Sequence, residues 1–244
     1  MKKQEYLKRA RIIVIALIII LGGAFAIYVN HYYHADDHAL ASLQSTETVM
    51  VWTLQKDTLV FSPKEARVGL IFYPGGKVQY ESYAPLMQSL AEQGILCVLV
   101  HMPWNLAVLD VNAADGIKEK FSGITTWYLG GHSLGGSMAA SYVENHAEEY
   151  EGLILLASYS TADLSKTGLK VLSIYGSNDG VLSLEKYEQN KTNLPEDVVE
   201  HVIDGGCHAY FGSYGTQDGD GTPMISAEEQ IADTVKVIME SIER

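Results

Sequence analysis

From Val49 to Ile242 the apolar residues fall into short blocks whose spacing alternates between that of a strand and that of a helix. "VMVWTL" (49–54) and "TLVF" (58–61), joined around Gln55-Lys56-Asp57, predict a hairpin. "VGLIFY" (68–73) and "ILCVLV" (95–100) are near-continuous apolar runs, the pattern of strands covered on both faces. "TTWYL" (125–129), "GLILLA" (152–157), "KVLSIYG" (170–176) and "VVEHVI" (198–203) read as further strands. Helical spacing lies between them. "SYAPLMQSLAEQG" puts Tyr83, Leu86, Met87, Leu90 and Ala91 on one face and stops at Gly94. "NAADGIKEKF" predicts a weaker helix, and Ser137–His146 and "SLEKYEQNKTNL" predict two more. Residues 226–242 open with a capping box, Ser226-x-x-Glu229, and carry Ile231, Val235, Ile238, Met239 and Ile242 on one face. Strand–helix alternation after a hairpin implies an α/β fold, a mostly parallel sheet of about eight strands with helices on both faces. One domain over residues 49–244 accounts for it, with no internal repeat.

Ahead of this pattern stands Ile12 to Val29, 18 residues without a charge and about the minimum for a spanning helix. Lys2, Lys3, Lys8, Arg9 and Arg11 precede it against the single acid Glu5, and no basic residue follows until Lys56. The basic flank, residues 1–11, is expected to stay cytoplasmic and everything beyond residue 29 to lie outside the cell membrane. Ala24-Phe25-Ala26 would suit signal-peptide cleavage, but the run continues through Ile27, Tyr28 and Val29, which favours an uncleaved anchor at 12–29. Residues 30–48 read as a polar linker; His31, His34 and His38 within it fit a membrane interface better than a metal site.

Charge removes one class of partner. Five of the 17 basic and one of the 30 acidic residues precede the anchor, so the remainder carries a formal charge of −17, which repels nucleic acid. Two cysteines, Cys97 and Cys207, are too few for a disulfide scaffold. They are expected to be unpaired. No zinc-finger, CxxC or HExxH spacing occurs, so neither a metal nor a cofactor is signalled. Asp218 and Asp220, in the glycine-rich stretch "YFGSYGTQDGDGTP", fit surface-turn chemistry better than calcium binding.

The chemistry centres on "YLGGHSLGGSMAA" (128–140). Gly131-His132-Ser133-Leu134-Gly135 has the G-x-S-x-G spacing of a nucleophile elbow, a strand-to-helix turn that holds its serine in strained backbone with the side chain exposed. Side chains at −2 and +2 would collide there, hence the glycines. A neutral serine needs a base to take its proton and an acid to orient that base. Asp179, in "GSNDG", falls just past a strand end, and His208, in "GGCHAYFGSYG", falls past the last strand. Asp163 is the one credible substitute acid; His101 and Asp110 precede the serine, and His201 lies inside a strand pattern. An acyl-transfer site also needs N–H donors for an oxyanion. Leu134 should supply one, and the loop Pro74-Gly75-Gly76-Lys77 after "VGLIFY" the other, with Gly76 the preferred donor.

Together "GGHSLGG", "GSNDG", "GGCHAYFGSYG" and "YPGGKV" resemble the alpha/beta-hydrolase superfamily over residues 49–243, and in particular its small bacterial members with an N-terminal membrane segment. The resemblance implies the order serine, acid, histidine, met here by Ser133, Asp179 and His208. It also implies a serine carboxylesterase acting on a small-molecule ester. The sequence departs from many relatives in having Tyr-Pro-Gly-Gly where they carry His-Gly, which bears on the second oxyanion donor. Only residues 158–169 separate two strands where relatives insert a helical lid, so an open site is expected. "HMPWNLAVL" offers Met102 and Trp104 as an apolar pocket wall. Two other readings stay open: acyl transfer to an alcohol through the same residues, and a non-catalytic exported binding domain.

Overall fold

The computed structural model describes residues 2–243. The chain divides into two compact units, one up to Tyr32 and one from Tyr33 onward. The first is a single helix, α1 (Lys2–Asn30). Within Gln4–Asn30 an 18-residue window reaches a mean hydropathy of 3.0, and the helix is long and apolar enough to cross a membrane. Helical rise is about 1.5 Å per residue, so such a helix exceeds the ~30 Å of a hydrocarbon core.

The second unit is built on one eight-stranded sheet in the order β1-β2-β4-β3-β5-β6-β7-β8. Its strands are β1 (Val49–Thr53), β2 (Leu59–Pro63), β3 (Val68–Tyr73), β4 (Ile95–Leu99), β5 (Thr126–His132), β6 (Gly152–Leu156), β7 (Lys170–Gly176) and β8 (Val199–Ile203). The hairpin β1–β2 pairs antiparallel and joins β4 antiparallel; every other pairing is parallel. Strand side chains alternate between two cores. Leu70, Phe72, Cys97 and Ile154 face one, with Leu86, Met87 and Leu90 of α3 (Ala84–Glu92) and Ile231, Val235 and Ile238 of α6 (Ala227–Ile242). Ile71, Val98, Leu129 and Leu155 face the other, with Ala139, Ala140 and Val143 of α4 (Leu134–Val143). Covering both faces is why these strands lack a polar side. The capping box of α6 is formed in both directions between Ser226 and Glu229. α5 (Leu184–Asn190) starts where Ser183 accepts from the Lys186 N–H.

Two segments depart from expectation. The stretch read as a linker, residues 30–48, is folded from Tyr33 onward. Asp36 caps the short helix α2 (Asp37–Ala41) by accepting the Ala39 N–H at 2.9 Å, and it also accepts from Ser213 Oγ at 2.9 Å. Tyr33 bridges to Val78 and lays its ring on Tyr214. These contacts are made one residue at a time, so no periodicity announces them. The second departure is "NAADGIKEKF", which forms turns and a single 3-10 turn at Lys118–Lys120 in place of a helix. Gly116 takes φ +70 in its middle, and the Ala114 N–H is captured by Tyr73 Oη at 2.9 Å. A tertiary partner has displaced the helical one.

β3 sits between β4 and β5, so the chain winds away from it in both directions. Such a reversal leaves a crevice at the carboxyl ends of the strands, where open α/β sheets bind ligands. The loops after β3, β5, β7 and β8 all leave from that edge.

Candidate active site

β5 runs through His132, and Ser133 follows at φ 51, ψ −122 as the N-cap of α4. A non-glycine residue in that region is strained, and strain of this kind collects at functional sites. The neighbouring glycines are dictated by space. A Cβ on Gly131 would lie 2.6 Å from the Gly135 carbonyl carbon, and one on Gly135 would lie 2.3 Å from the carbonyl oxygens of both Tyr73 and Pro74. Ser158 Oγ donates to the Ser133 carbonyl at 2.8 Å, tying the turn to the loop after β6. That loop begins with another strained residue, Ala157, at φ 46.

Asp179 and His208 meet across loops from β7 and β8. His208 Nδ1 lies 2.9 Å from Asp179 Oδ2, and neither side chain is more than 2% exposed. The other carboxylate oxygen accepts the N–H groups of Val181 (2.8 Å) and Leu182 (2.7 Å), which fixes the plane of the carboxylate. With Nδ1–H donated to Asp179, His208 Nε2 is left as the acceptor nitrogen. That atom is buried and has no hydrogen-bond partner among the described residues. Ser133 and His208 line one open cleft of about 310 Å³ together with Leu134, Val181, Leu182 and Lys186.

On the opposite side of the elbow lies the Pro74–Lys77 loop. The Gly75 N–H is taken by Tyr83 Oη at 3.0 Å, and the same hydroxyl is 2.8 Å from His132 Nδ1. Tyr83 is fully buried, so its proton needs an acceptor, and His132 Nδ1 is the one at hand. Burial, followed by the charge of nearby His208, holds the His132 pKa well below its ordinary value, so this imidazole stays neutral. Its ring packs 4.5 Å from that of His208. Gly76 is pressed against Leu134, whose Cδ2 would be 2.8 Å from an added Cβ. No hydrogen bond engages the N–H of Gly76 or of Leu134 among the described residues.

The alternatives lie elsewhere. Asp163 is exposed and bonds Ser165. His201 pairs with Asp233 at 2.9 Å, and the His101 ring stacks near Tyr80. The expected pocket wall is corrected too. Met102 is fully buried in the core beside α4, whereas Trp104 is 58% exposed, and neither lines the cleft. The chain turns through positive φ at Trp104 and Asn105, and the Asn105 carbonyl accepts the Lys77 N–H at 2.7 Å. Apolar lining comes instead from Leu134, Val181 and Leu182. Val181-Leu182 was a readable signal, an apolar pair directly after the Asp179-Gly180 turn. A larger groove of about 760 Å³ between α3 and α6 contains none of the candidate catalytic residues.

A model of the alpha/beta hydrolase family matches residues 69–232, more than half of the chain. The chain belongs to the alpha/beta hydrolase family. Solved structures share the fold at low identity. A protein from Thermus thermophilus aligns at TM-score 0.58 and 15% identity, covering 80% of this chain and 99% of its own. Est1E from Butyrivibrio proteoclasticus aligns at 0.56 and 14%, covering 81% and 100%. Naproxen esterase (carboxylesterase NP) from Bacillus subtilis aligns at 0.59 and 12%, covering 84% and 94%. An uncharacterized protein of Corynebacterium glutamicum is 28% identical over 102 residues, which are 41% of this alpha/beta hydrolase but only 22% of that longer relative.

Proposed function

We propose that this alpha/beta hydrolase is a membrane-tethered serine esterase that cleaves carboxylic esters through an acyl-enzyme on Ser133. The observation that carries the reading is the strained Ser133 sharing a cleft with a His208 whose Nδ1 is bonded to a buried Asp179. His208 Nε2 accepts the Ser133 proton as Oγ adds to the ester carbonyl. The tetrahedral oxyanion accepts from the N–H groups of Leu134 and Gly76; Gly75 is not a candidate, because Tyr83 holds its N–H. As the carbon–oxygen bond breaks, the alkoxide takes the proton from Nε2 and leaves as the alcohol. Water then repeats the cycle on the acyl-enzyme, returning the carboxylic acid and free Ser133. Asp179 keeps the imidazole in the tautomer this needs.

A cleft of about 310 Å³ without a lid suits a small or medium acyl group better than a long chain. The N-terminal helix supplies the tether, and the basic residues before it favour an extracytoplasmic domain. Two experiments test these claims. Nitrophenyl esters of increasing acyl length should be hydrolysed by the full chain in detergent, best at short lengths. The S133A variant should be inactive, and equal turnover by S133A would end the reading. Protease added to intact cells should remove the domain; full protection would reverse the orientation.

A further inference from the structure

Asp220 belongs to a stretch whose composition suggests a plain surface turn, yet its carboxylate joins three parts of the site. Oδ1 accepts the N–H of Gly180 (3.1 Å), His208 (3.1 Å) and Gly221 (2.8 Å), and Oδ2 accepts the N–H of Ala209 (2.9 Å). Gly180 directly follows Asp179. One side chain therefore grips the backbone of both loops whose side chains must meet, the acid loop after β7 and the histidine loop after β8.

The surrounding contacts are equally tight. Asn178 Nδ2 donates to the Thr222 carbonyl at 2.9 Å. A Cβ on Gly221 would lie 1.8 Å from the Asn178 oxygen, and one on Gly180 would lie 2.6 Å from the Gly219 oxygen. The segments "SNDG" and "GDGT" are thus interlocked, and Gly180 and Gly221 are each required by the approach of the other segment. Burial pushes the Asp220 carboxyl up, but the N–H groups of Ala209, Gly180, His208 and Gly221 outweigh it, leaving the pKa below the ordinary value and the group ionised. An ionised carboxylate is what four converging donors need. An amide of the same shape offers one oxygen and sets an NH₂ against an N–H.

We propose that Asp220 is a positioning residue, holding the Asp179 and His208 loops at the separation that their mutual hydrogen bond requires. It touches neither substrate nor Ser133 and acts through the backbone of the loops that carry the other two groups. The inference rests on the serine-esterase reading for its effect on rate, but not for its effect on the Asp179–His208 bond. A loosening of about 1 Å between acting groups can cost on the order of a hundredfold in rate.

The test compares D220N with the parent and with D218A, all as full chains in detergent, by two readouts. The first is the downfield proton NMR signal of the His208 Nδ1–H bonded to Asp179. The second is steady-state ester hydrolysis. D220N is expected to lose or broaden the signal and to lower kcat by at least about tenfold, with KM within about twofold. D218A should match the parent in both. A D220N protein with the parental signal overturns the proposal, whatever its rate, as does one with parental kcat. Inactive parent protein would sink the esterase reading alone, since the NMR signal reports the bond without turnover. Should D220N fail to fold, native-state amide exchange in the parent decides. The Gly180, His208 and Ala209 amides must be protected together, and exchange at the rate of an open loop overturns the proposal.

Discussion

Gly135→Ala is the sharpest probe of how the elbow is built. The added methyl would sit 2.3 Å from two backbone oxygens, those of Tyr73 and Pro74. Ordinary carbon–oxygen contact is about 3.3–3.6 Å, so about 1 Å must be found by moving the end of β3 away from the start of α4. Neither can yield easily. Tyr73 is in register with Gly131 of β5, and Phe72 is held between Leu99 and Gly130. Overpacking costs about 1–3 kcal/mol and occasionally more, and two backbone clashes with no flexible side chain place this change at about 3 kcal/mol. For a domain of this size that corresponds to about 6–12 °C in Tm. Melting of the full chain in detergent, followed by near-UV circular dichroism so that α1 contributes little, measures it. Gly168→Ala is the control, having nothing within 4 Å and no left-handed backbone, and should stay within about 1 kcal/mol of the parent. A G135A protein melting within about 2 °C of the parent would refute the steric account of the motif.

Three further outcomes are expected. Y83F leaves the Gly75 N–H without its acceptor and should cost about 1–3 kcal/mol, with kcat reduced because the loop carrying Gly76 loosens; unchanged melting and kcat would remove Tyr83 from the site's support. His132 is buried neutral with its pKa depressed, so the unfolded chain takes up a proton first as pH falls through about 6.5 and native stability declines from there downward. Melting between pH 7.5 and 5.5 should therefore fall less in H132N than in the parent, and identical slopes would show that His132 is not the group responsible. Cys97 and Cys207 are both free and buried, and burial raises both thiols, Cys207 to about 12. Labelling should be slow in the native protein and find two thiols after denaturation without reductant, whereas finding none in a monomer would contradict the strand order.

What the sequence made legible follows from where the information is local. Strands such as Val68–Tyr73 and Ile95–Leu99 appear within a residue of where they are expected because burial on both faces writes itself as a near-continuous apolar run. The elbow was legible because its geometry forbids side chains at fixed offsets from Ser133. The Asp179–His208 pairing was legible from strand-end position, since a parallel sheet delivers all its loops to one edge. Residues 33–48 and Asp220 were not. Tyr33, Asp36 and Asp220 each owe their role to partners far along the chain, and the bonds of Asp220 to Gly180 and His208 leave no periodic trace. Met102 misled for a related reason: an apolar residue after a strand reads alike whether it turns into the core, as Met102 does, or into a cleft.

The most direct measurement is the site of covalent capture by a fluorophosphonate. Full-chain protein treated with the probe and digested should yield a single phosphonylated peptide, containing Ser133. Labelling should be abolished in S133A and slowed strongly in H208A, which lacks the base. A probe adduct on another residue, or undiminished labelling in S133A, would contradict the claim that Ser133 is the nucleophile.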